Sequence, residues 1–381
     1  MEITDQLILS CLRSRWDPSA LEEACEVVAH ERLDWDAFLK SSRAGALEAL
    51  LYAALREHDL FPAPVMETLR LAYYANARRN LILFRELAVI LDRLAAEKIP
   101  AVVLKGAALA EVVYGNPAVR PMSDVDLLVR EADLSGAMAA LVDLGYDIIP
   151  PAAYRNEVVL QKDGATAAIE LHWGLFVSPS HQHVFSMDWL WETTMPIQID
   201  GTPTLMLGPE AQLLHLCGHL FLHHHSDEDA RLLWLHDVAE VIICYQDQLD
   251  WDRLLARAQA TGLVAAVQEV VNRVAADWQV PVPDDALVTL RSIHLSADEE
   301  RIRAWLPDAH SSGGRRFLAD LRSMPGWGAR FRFLWRNLFP PVGYMRELYG
   351  VRHALLVPFL YPYRWIRGVL AVFRALGSSL Q

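Results

Sequence analysis

Residues 123–129 read Ser123-Asp124-Val125-Asp126-Leu127-Leu128-Val129, a strand whose parity separates charged from apolar side chains. Alternate residues of a strand share a face, so Asp124 and Asp126 point one way while Val125, Leu127 and Val129 point the other. The apolar set demands a layer of helices beneath the sheet. Two carboxylates held side by side above it repel each other unless a cation lies between them. A hard divalent ion such as Mg²⁺, which takes oxygen ligands, suits that position. Upstream, Val103-Leu104-Lys105-Gly106-Ala107-Ala108 reads as a strand, a glycine turn and a short helix. A chain built on this unit must place a small sheet among helices.

A third carboxylate fits the same geometry. Asn156 to Gln161 reads as a strand, Asp163-Gly164 as a tight turn, and Ala165 to Trp173 as the return strand. On the return strand Ile169 and Leu171 share one face, and Ala168, Glu170 and His172 the other. Glu170 is therefore expected to join Asp124 and Asp126 across neighbouring strands.

Gly106 after a strand, Asp-x-Asp on the next strand and a later lone acid resemble the nucleotidyltransferase superfamily that includes DNA polymerase β. More closely, Leu-Lys-Gly-Ala-Ala-Leu, Arg-Pro-Met-Ser-Asp-Val-Asp-Leu-Leu-Val and Ile-Glu-Leu-His-Trp resemble an uncharacterised bacterial nucleotidyltransferase family. So do Leu-Leu-His-Leu-Cys-Gly-His-Leu, Arg-Leu-Leu-Trp-Leu-His-Asp-Val-Ala-Glu and Asp-Trp-Asp-Arg-Leu-Leu downstream. The resemblance implies an α+β fold, a small mixed-sheet core flanked by helical regions. It implies transfer of NMP from an NTP, ATP first among them, to an acceptor hydroxyl. Two Mg²⁺ ions would be held by Asp124, Asp126 and Glu170, which are also the expected catalytic residues. Lys105, Gly106, Ala107, Arg120 and Ser123 are the expected nucleotide contacts. The acceptor is left open.

The chain departs from the superfamily pattern twice. The usual Gly-Ser becomes Gly106-Ala107, which removes a hydroxyl that commonly touches the triphosphate, and the gap from Gly106 to Asp124 is long. Backbone N–H groups at the turn and the following helix can still hold phosphate. Lys105 and Arg120 are the expected sources of positive charge, and Lys105 is one of only four lysines.

In chain order, residues 1–97 read as helical, with a long helix from Val65 to Glu97 whose Asn76, Arg79 and Asn80 wall the nucleotide cleft. Residues 98–208 form the α/β core, with Met195 to Met206 as an irregular or extended edge, and His181 and His183 in a polar loop. Residues 209–313 read as a helical domain. There His215, His219 and His223 share a helix face, followed by His224, His225 and Asp227. An i, i+4 histidine pair is one way to hold zinc. Arg231 and His236-Asp237 resemble the patterns of HEPN-type ribonucleases and HD-type phosphohydrolases. Two alternatives therefore stand beside the transferase: a non-catalytic nucleotide- or partner-binding protein, and a hydrolase or ribonuclease centred on His215, His219 and His236.

Composition narrows the partners. From Gly314 onward eleven arginines face two acids, so this tail carries about +9 and the remainder about −22. An acidic body is unsuited to duplex DNA, where phosphate contacts dominate affinity. Aromatic residues interleave the arginines of 314–381, and prolines and charges interrupt the apolar run from Ala354 to Leu376, which argues against a spanning helix. The segment fits a peripheral membrane contact, a protein-docking surface, or a tail folded on the acidic body. Four cysteines at irregular spacing and an acidic N-terminus without a long apolar run suggest a cytoplasmic, membrane-peripheral protein with buried thiols.

Overall fold

A computed structural model describes residues 3–149, 156–176, 187–223, 231–305, 317–318, 321–322, 326–340, 342–349, 351 and 353–377. The chain opens with four short helices, α1 (Ile3–Arg13), α2 (Pro18–His30), α3 (Trp35–Ala44) and α4 (Glu48–Leu55). Asp17 and Asp34 cap α2 and α3 by accepting their first free N–H groups. The long helix α5 runs Ala63–Ala96, about 50 Å at 1.5 Å per residue.

The core is a seven-stranded sheet in the order β3-β4-β5-β2-β1-β7-β6. Its strands are β1 (Val102–Val103), β2 (Asp124–Leu128), β3 (Asp147–Ile149), β4 (Glu157–Gln161), β5 (Ala168–His172), β6 (Thr194–Ile199) and β7 (Thr202–Leu207). β2 runs parallel to β5 and β1 parallel to β7, while the other neighbours are antiparallel. Thr194 to Leu207, where the sequence suggests an irregular or extended edge, is extended, a regular hairpin with one strand at the edge. Asp200 and Gly201 both adopt positive φ (47° and 81°), as a two-residue Asp-Gly hairpin turn requires. β7 lies inside the sheet against β1, and β6, which contains Pro196, takes the edge where a missing N–H does no harm.

Short helices α6 (Lys105–Ala108), α7 (Leu134–Asp143) and α8 (Met187–Glu192) punctuate the sheet, and α6 runs on into a π-helical turn at Leu109–Val113. The helical region follows as α9 (Pro209–His223), α10 (Arg231–Cys244), α11 (Trp251–Thr261), α12 (Val264–Asp277), α13 (Asp284–Ser292) and α14 (Ala297–Trp305). Helices α15 (Gly326–Leu338), α16 (Val342–Leu348) and α17 (Val357–Gly377) end the described chain.

Strand parity divides the interior into two cores. Val103, Val125, Leu127, Ile169 and Leu171 pack on the C-terminal half of α5 and on α7. Each fully buried leucine there contributes about 1.5–3 kcal/mol. On the other face Val102, Leu104, Leu128 and Leu207 join a cluster built by α1–α4 and α9–α13, with Val65 and Leu69 of α5. Helices from before and after the sheet thus share one core. Two of the four cysteines, Cys25 and Cys244, are exposed, against the expectation of four buried thiols.

The loop after the π turn is fixed from two sides. Asn76 Nδ2 donates to Ala118 O (2.6 Å), and Asn80 Nδ2 to Pro117 O (2.6 Å) and Arg120 O (2.8 Å). From α10, Asp237 accepts from Arg120 Nη2 (2.7 Å), Arg120 Nε (3.0 Å) and the Tyr114 hydroxyl (2.8 Å). His236 stacks on Tyr114 with rings 5.7 Å apart, enclosed by Trp16 and Trp278. Removing one partner of a buried ion pair strands the other's charge. Asp237→Ala should lower unfolding free energy by about 3–5 kcal/mol, checked by chemical denaturation, while Asp237→Asn, which keeps an acceptor, should cost less.

Candidate active site

On the face opposite the α5–α7 core, the parallel register pairs Asp124 with Ala168, Asp126 with Glu170 and Leu128 with His172. Paired residues of adjacent strands point to the same side, so Asp126 meets Glu170 and His172 directly. Asp126 Oδ1 accepts from Lys105 Nζ at 2.8 Å and lies 2.9 Å from His172 Nε2. His172 Nε2 is 3.7 Å from Glu170 Oε2, and its Nδ1 is 3.7 Å from Glu157 Oε2 on β4. Asp126, Glu170 and His172 each offer a ligand atom within 4.8 Å of the others, the one set of three or more such side chains among the described residues gathered closely enough to hold a metal ion. Asp124 stands two residues up the same face, half-buried and outside that compact set.

Lys105 reaches Asp126 because the backbone turns sharply where β1 ends. Leu104 N–H donates to Asp126 O (3.0 Å), and the next residue, Lys105, takes φ 41°. This left-handed conformation costs a non-glycine residue about 1–2 kcal/mol, and such strain collects at functional sites. Here it turns the chain into α6 while the ammonium lies against the Asp126 carboxylate.

The charges explain the titration of the cluster. Burial alone would raise the Asp126 carboxyl, but Lys105 and His172 outweigh it and hold Asp126 well below the usual carboxylate range. Burial and then the neighbouring Asp126 charge push Glu170 the other way, up to about 7. Burial would lower Lys105, but Asp126 raises it further and keeps it charged. The site therefore holds one carboxylate that is always ionised beside one poised near neutrality.

The expected nucleotide contacts divide. Gly106 is required by space: a Cβ there would lie 2.7 Å from Arg120 Nη1 and 3.1 Å from Met122 Cγ. Arg120 therefore sits beneath the turn, only 6% exposed, its fork committed to Asp237 in place of an outward, phosphate-facing position. The Ala107 side chain is buried in the α5–α7 core, so only its backbone can serve a ligand. Ser123 is exposed at the start of β2.

The histidine region has an interior arrangement. His215 is fully buried among aromatic rings, edge-on to Phe176 and His219, and His219 is edge-on to Trp234. His236 and Asp237 are both 0% exposed. Burial, helped by the Arg15 charge, holds His236 neutral. Among the described residues, His215, His236 and Asp237 pack the interior of the helical region. His181, His183, His224, His225 and Asp227 lie outside the described residues, as do the side chains of His223 and Arg231. What the sequence reading left without a role is His172. Its signal was parity, since it shares a strand face with Glu170, two residues away.

Residues 31–278 match the model of a family described as uncharacterised nucleotidyltransferases. No curated protein matches the chain significantly. Among solved structures, an antigenic nucleotidyltransferase-like protein from Paracoccidioides brasiliensis is 15% identical with a TM-score of 0.34, over 54% of this chain and 96% of that one. The antibiotic-resistance factor ANT(2'')-Ia is 12% identical with a TM-score of 0.31, over 47% of this chain and 98% of that one. A tRNA-processing enzyme is 10% identical with a TM-score of 0.22, over 78% and 95%. Likeness at this level leaves the family match, which covers well over half of the chain, to make the assignment. This chain belongs to the uncharacterised nucleotidyltransferase family.

Proposed function

We propose that the protein transfers the nucleotidyl group of an NTP, ATP in the first instance, to an acceptor hydroxyl at the Asp126 site. The observation that carries this reading is the convergence of Asp126, Glu170, His172 and Lys105 on one sheet face in a chain of a nucleotidyltransferase family.

The donor set fits a hard cation. Asp126 and Glu170 supply oxygens, and burial, followed by the Asp126 charge, pushes Glu170 upward. His172 adds a nitrogen donor, which Mg²⁺ takes less readily than carboxylate. Asp126, Glu170 and His172 would hold one Mg²⁺, and Asp124 with Asp126 a second. Bound there, Mg²⁺ would neutralise triphosphate charge and favour ionisation of the acceptor.

The chain's own groups supply the rest. The acceptor oxygen forms a bond to the α-phosphorus as the bond to pyrophosphate breaks, and Glu170, near neutral in pKa, is placed to take the acceptor proton. Before an ion binds, His172 Nε2 holds Asp126 in position through their 2.9 Å contact. The Lys105 ammonium offsets charge developing on the phosphates. Gly106 makes room for Arg120, which supports that turn from beneath. Ser123, exposed just before Asp124, would donate to the nucleotide.

Asp126→Asn should lower pyrophosphate release at least on the order of 10²–10³-fold and abolish Mg²⁺-dependent nucleotide binding in calorimetry. Binding by wild type without turnover against any acceptor would favour a nucleotide sensor instead. Undiminished binding by a folded Asp126→Asn protein would remove this site as the donor site.

Glu170 also sets a pH dependence. Its native pKa of about 7 lies above the unfolded value. Between the ordinary carboxylate range and neutrality the native state keeps a proton that the unfolded chain has released, so this group costs stability as pH rises through that window. Denaturation at pH 5 and pH 8 should therefore show Glu170→Gln relatively more stable at the higher pH (both values about the window's edges). Mg²⁺-dependent nucleotide binding should strengthen over the same rise in wild type and lose that dependence in the variant.

A further inference from the structure

The proposed transferase chemistry uses nothing beyond α14, yet among the described residues most of the exposed large hydrophobic side chains lie in α15–α17 and their connections. They are not scattered. On α15, Trp327, Phe331, Trp335 and Leu338 are 83, 65, 54 and 42% exposed, at spacings of four, four and three. On α17, Phe359, Tyr363, Ile366 and Leu370 are 76, 52, 61 and 48% exposed, at spacings of four, three and four. Each set is the stripe that one face of an α-helix generates, here turned to solvent. Between the helices, Leu355 and Leu356 are 86 and 51% exposed.

The inner faces of the same helices are already engaged. Phe333 of α15 is buried against Phe317 and Leu321. Tyr361 Oη donates to Pro340 O and Trp365 Nε1 to Leu338 O, both at 2.7 Å, and Phe339 packs edge-on to Trp365 with rings 5.3 Å apart. These contacts hold α17 to the C-terminal end of α15. The outward stripes are thus what remains after packing within the segment, and contiguous exposed apolar surface of this kind marks an interaction site.

Charge selects the occupant. Arg332 and Arg336 are exposed beside Phe331 and Trp335, and these four side chains line a shallow open groove. Arg367 is exposed on α17 with its guanidinium 5.8 Å from the Tyr363 ring, and Arg330 lies 5.5 Å from the Trp327 ring. From Gly326 to Gly377 the only acid is Glu347. A protein interface shares the arginine and aromatic residues but is bordered by a polar rim, which the exposed Leu355, Leu356, Phe359, Ile366 and Leu370 do not supply. Single-stranded RNA would be matched by arginine and aromatic rings, but has no use for aliphatic Leu355, Leu356, Ile366 and Leu370. Aromatic and aliphatic groups flanked by arginine alone match a lipid–water interface, with the rings at headgroup level and guanidinium groups reaching phosphates. No helix among the described residues is long and apolar enough to cross a membrane. The strongly acidic remainder of the chain would be repelled by the same surface, which would orient the arginine-rich end toward it.

We infer that α15–α17 form a peripheral membrane-binding surface that docks on bilayers rich in anionic phospholipid, laying the Trp327–Leu338 and Phe359–Leu370 stripes into the interface.

The test is flotation of the full-length protein with vesicles of phosphatidylcholine alone and of phosphatidylcholine mixed with phosphatidylglycerol. Wild type should float with the anionic vesicles at least about tenfold more than with neutral ones, and high salt should reduce the difference. Arg332→Gln/Arg336→Gln should lower binding to anionic vesicles roughly tenfold or more. Phe359→Ser/Ile366→Ser should do so at every salt concentration. All four side chains are solvent-exposed, and unchanged circular dichroism with unchanged nucleotide binding would verify the fold. Brominated acyl chains should quench tryptophan emission in wild type and quench less in Trp327→Phe/Trp335→Phe. Equal or absent flotation with both vesicle types would overturn the proposal. So would a doubled mass in light scattering that Phe359→Ser/Ile366→Ser abolishes, which would make the surface an interface between copies. Arginine-dependent retention of single-stranded RNA without flotation would likewise overturn it. None of these outcomes depends on the transferase reading, which the Asp126→Asn measurements judge separately.

Discussion

Everything at the candidate site depends on the parallel pairing of β2 with β5 in a register that sets Asp126 opposite Glu170. A slip of one residue would send Asp126 and Glu170 to opposite faces. That slip is resisted from the other side of the sheet, where Val125, Leu127, Ile169 and Leu171 fill the α5–α7 core. The apolar residues thus keep two repelling carboxylates together. Burial of the leucines and valines outweighs the electrostatic cost, which the protein then reduces locally with Lys105 and His172.

Two polar networks meet at the turn after β1. One is the Asp126 cluster, whose cation comes from Lys105 in a left-handed backbone position. The other is Tyr114, Arg120 and Asp237, wholly interior. Gly106 lies between them, and the absence of its side chain lets Arg120 approach from below. The two cations divide the work. Lys105 faces the carboxylates and Arg120 binds the turn to α10. An arginine suits the second role because its fork makes several hydrogen bonds with one carboxylate.

Much of this was legible in the sequence. Parity along 124–129 and 168–172 put the three acids on one face, Asp163-Gly164 set the turn of a hairpin, and the span of α5 followed from its periodicity. Those features are local, and local rules suffice for them. The Asp-Gly at 200–201 carried an equally local hairpin signal, yet the strand it creates is an inner one because β7 pairs with β1 across a separation of 103 positions (Val102 with Leu205). Arg120 illustrates the harder limit. Beside Asp124 in sequence it looks like a phosphate ligand, and only the fold shows Asp237, 117 positions away, taking its charge. His236 and Asp237 likewise have the residue types of a reactive pair, but their burial among Trp16, Trp278 and Tyr114 gives them a packing role. Residue type proposes a chemistry, and solvent access decides whether it can be used.

The single core shared by α1–α4 and α9–α13 bears on how this enzyme family can diversify. In a modular transferase the catalytic sheet would be self-contained, and an acceptor-recognition module could be exchanged by recombination at its borders. Here the sheet face behind β1 is finished by helices drawn from both ends of the chain, and the loop that follows the turn after β1 is bolted to α10 through an interior ion pair. A crossover at residue 208 would leave Arg120 without its counter-charge and leave Leu104, Leu128 and Leu207 uncovered. Variation compatible with this frame is therefore substitution at exposed positions, with the sheet and its covering helices inherited together.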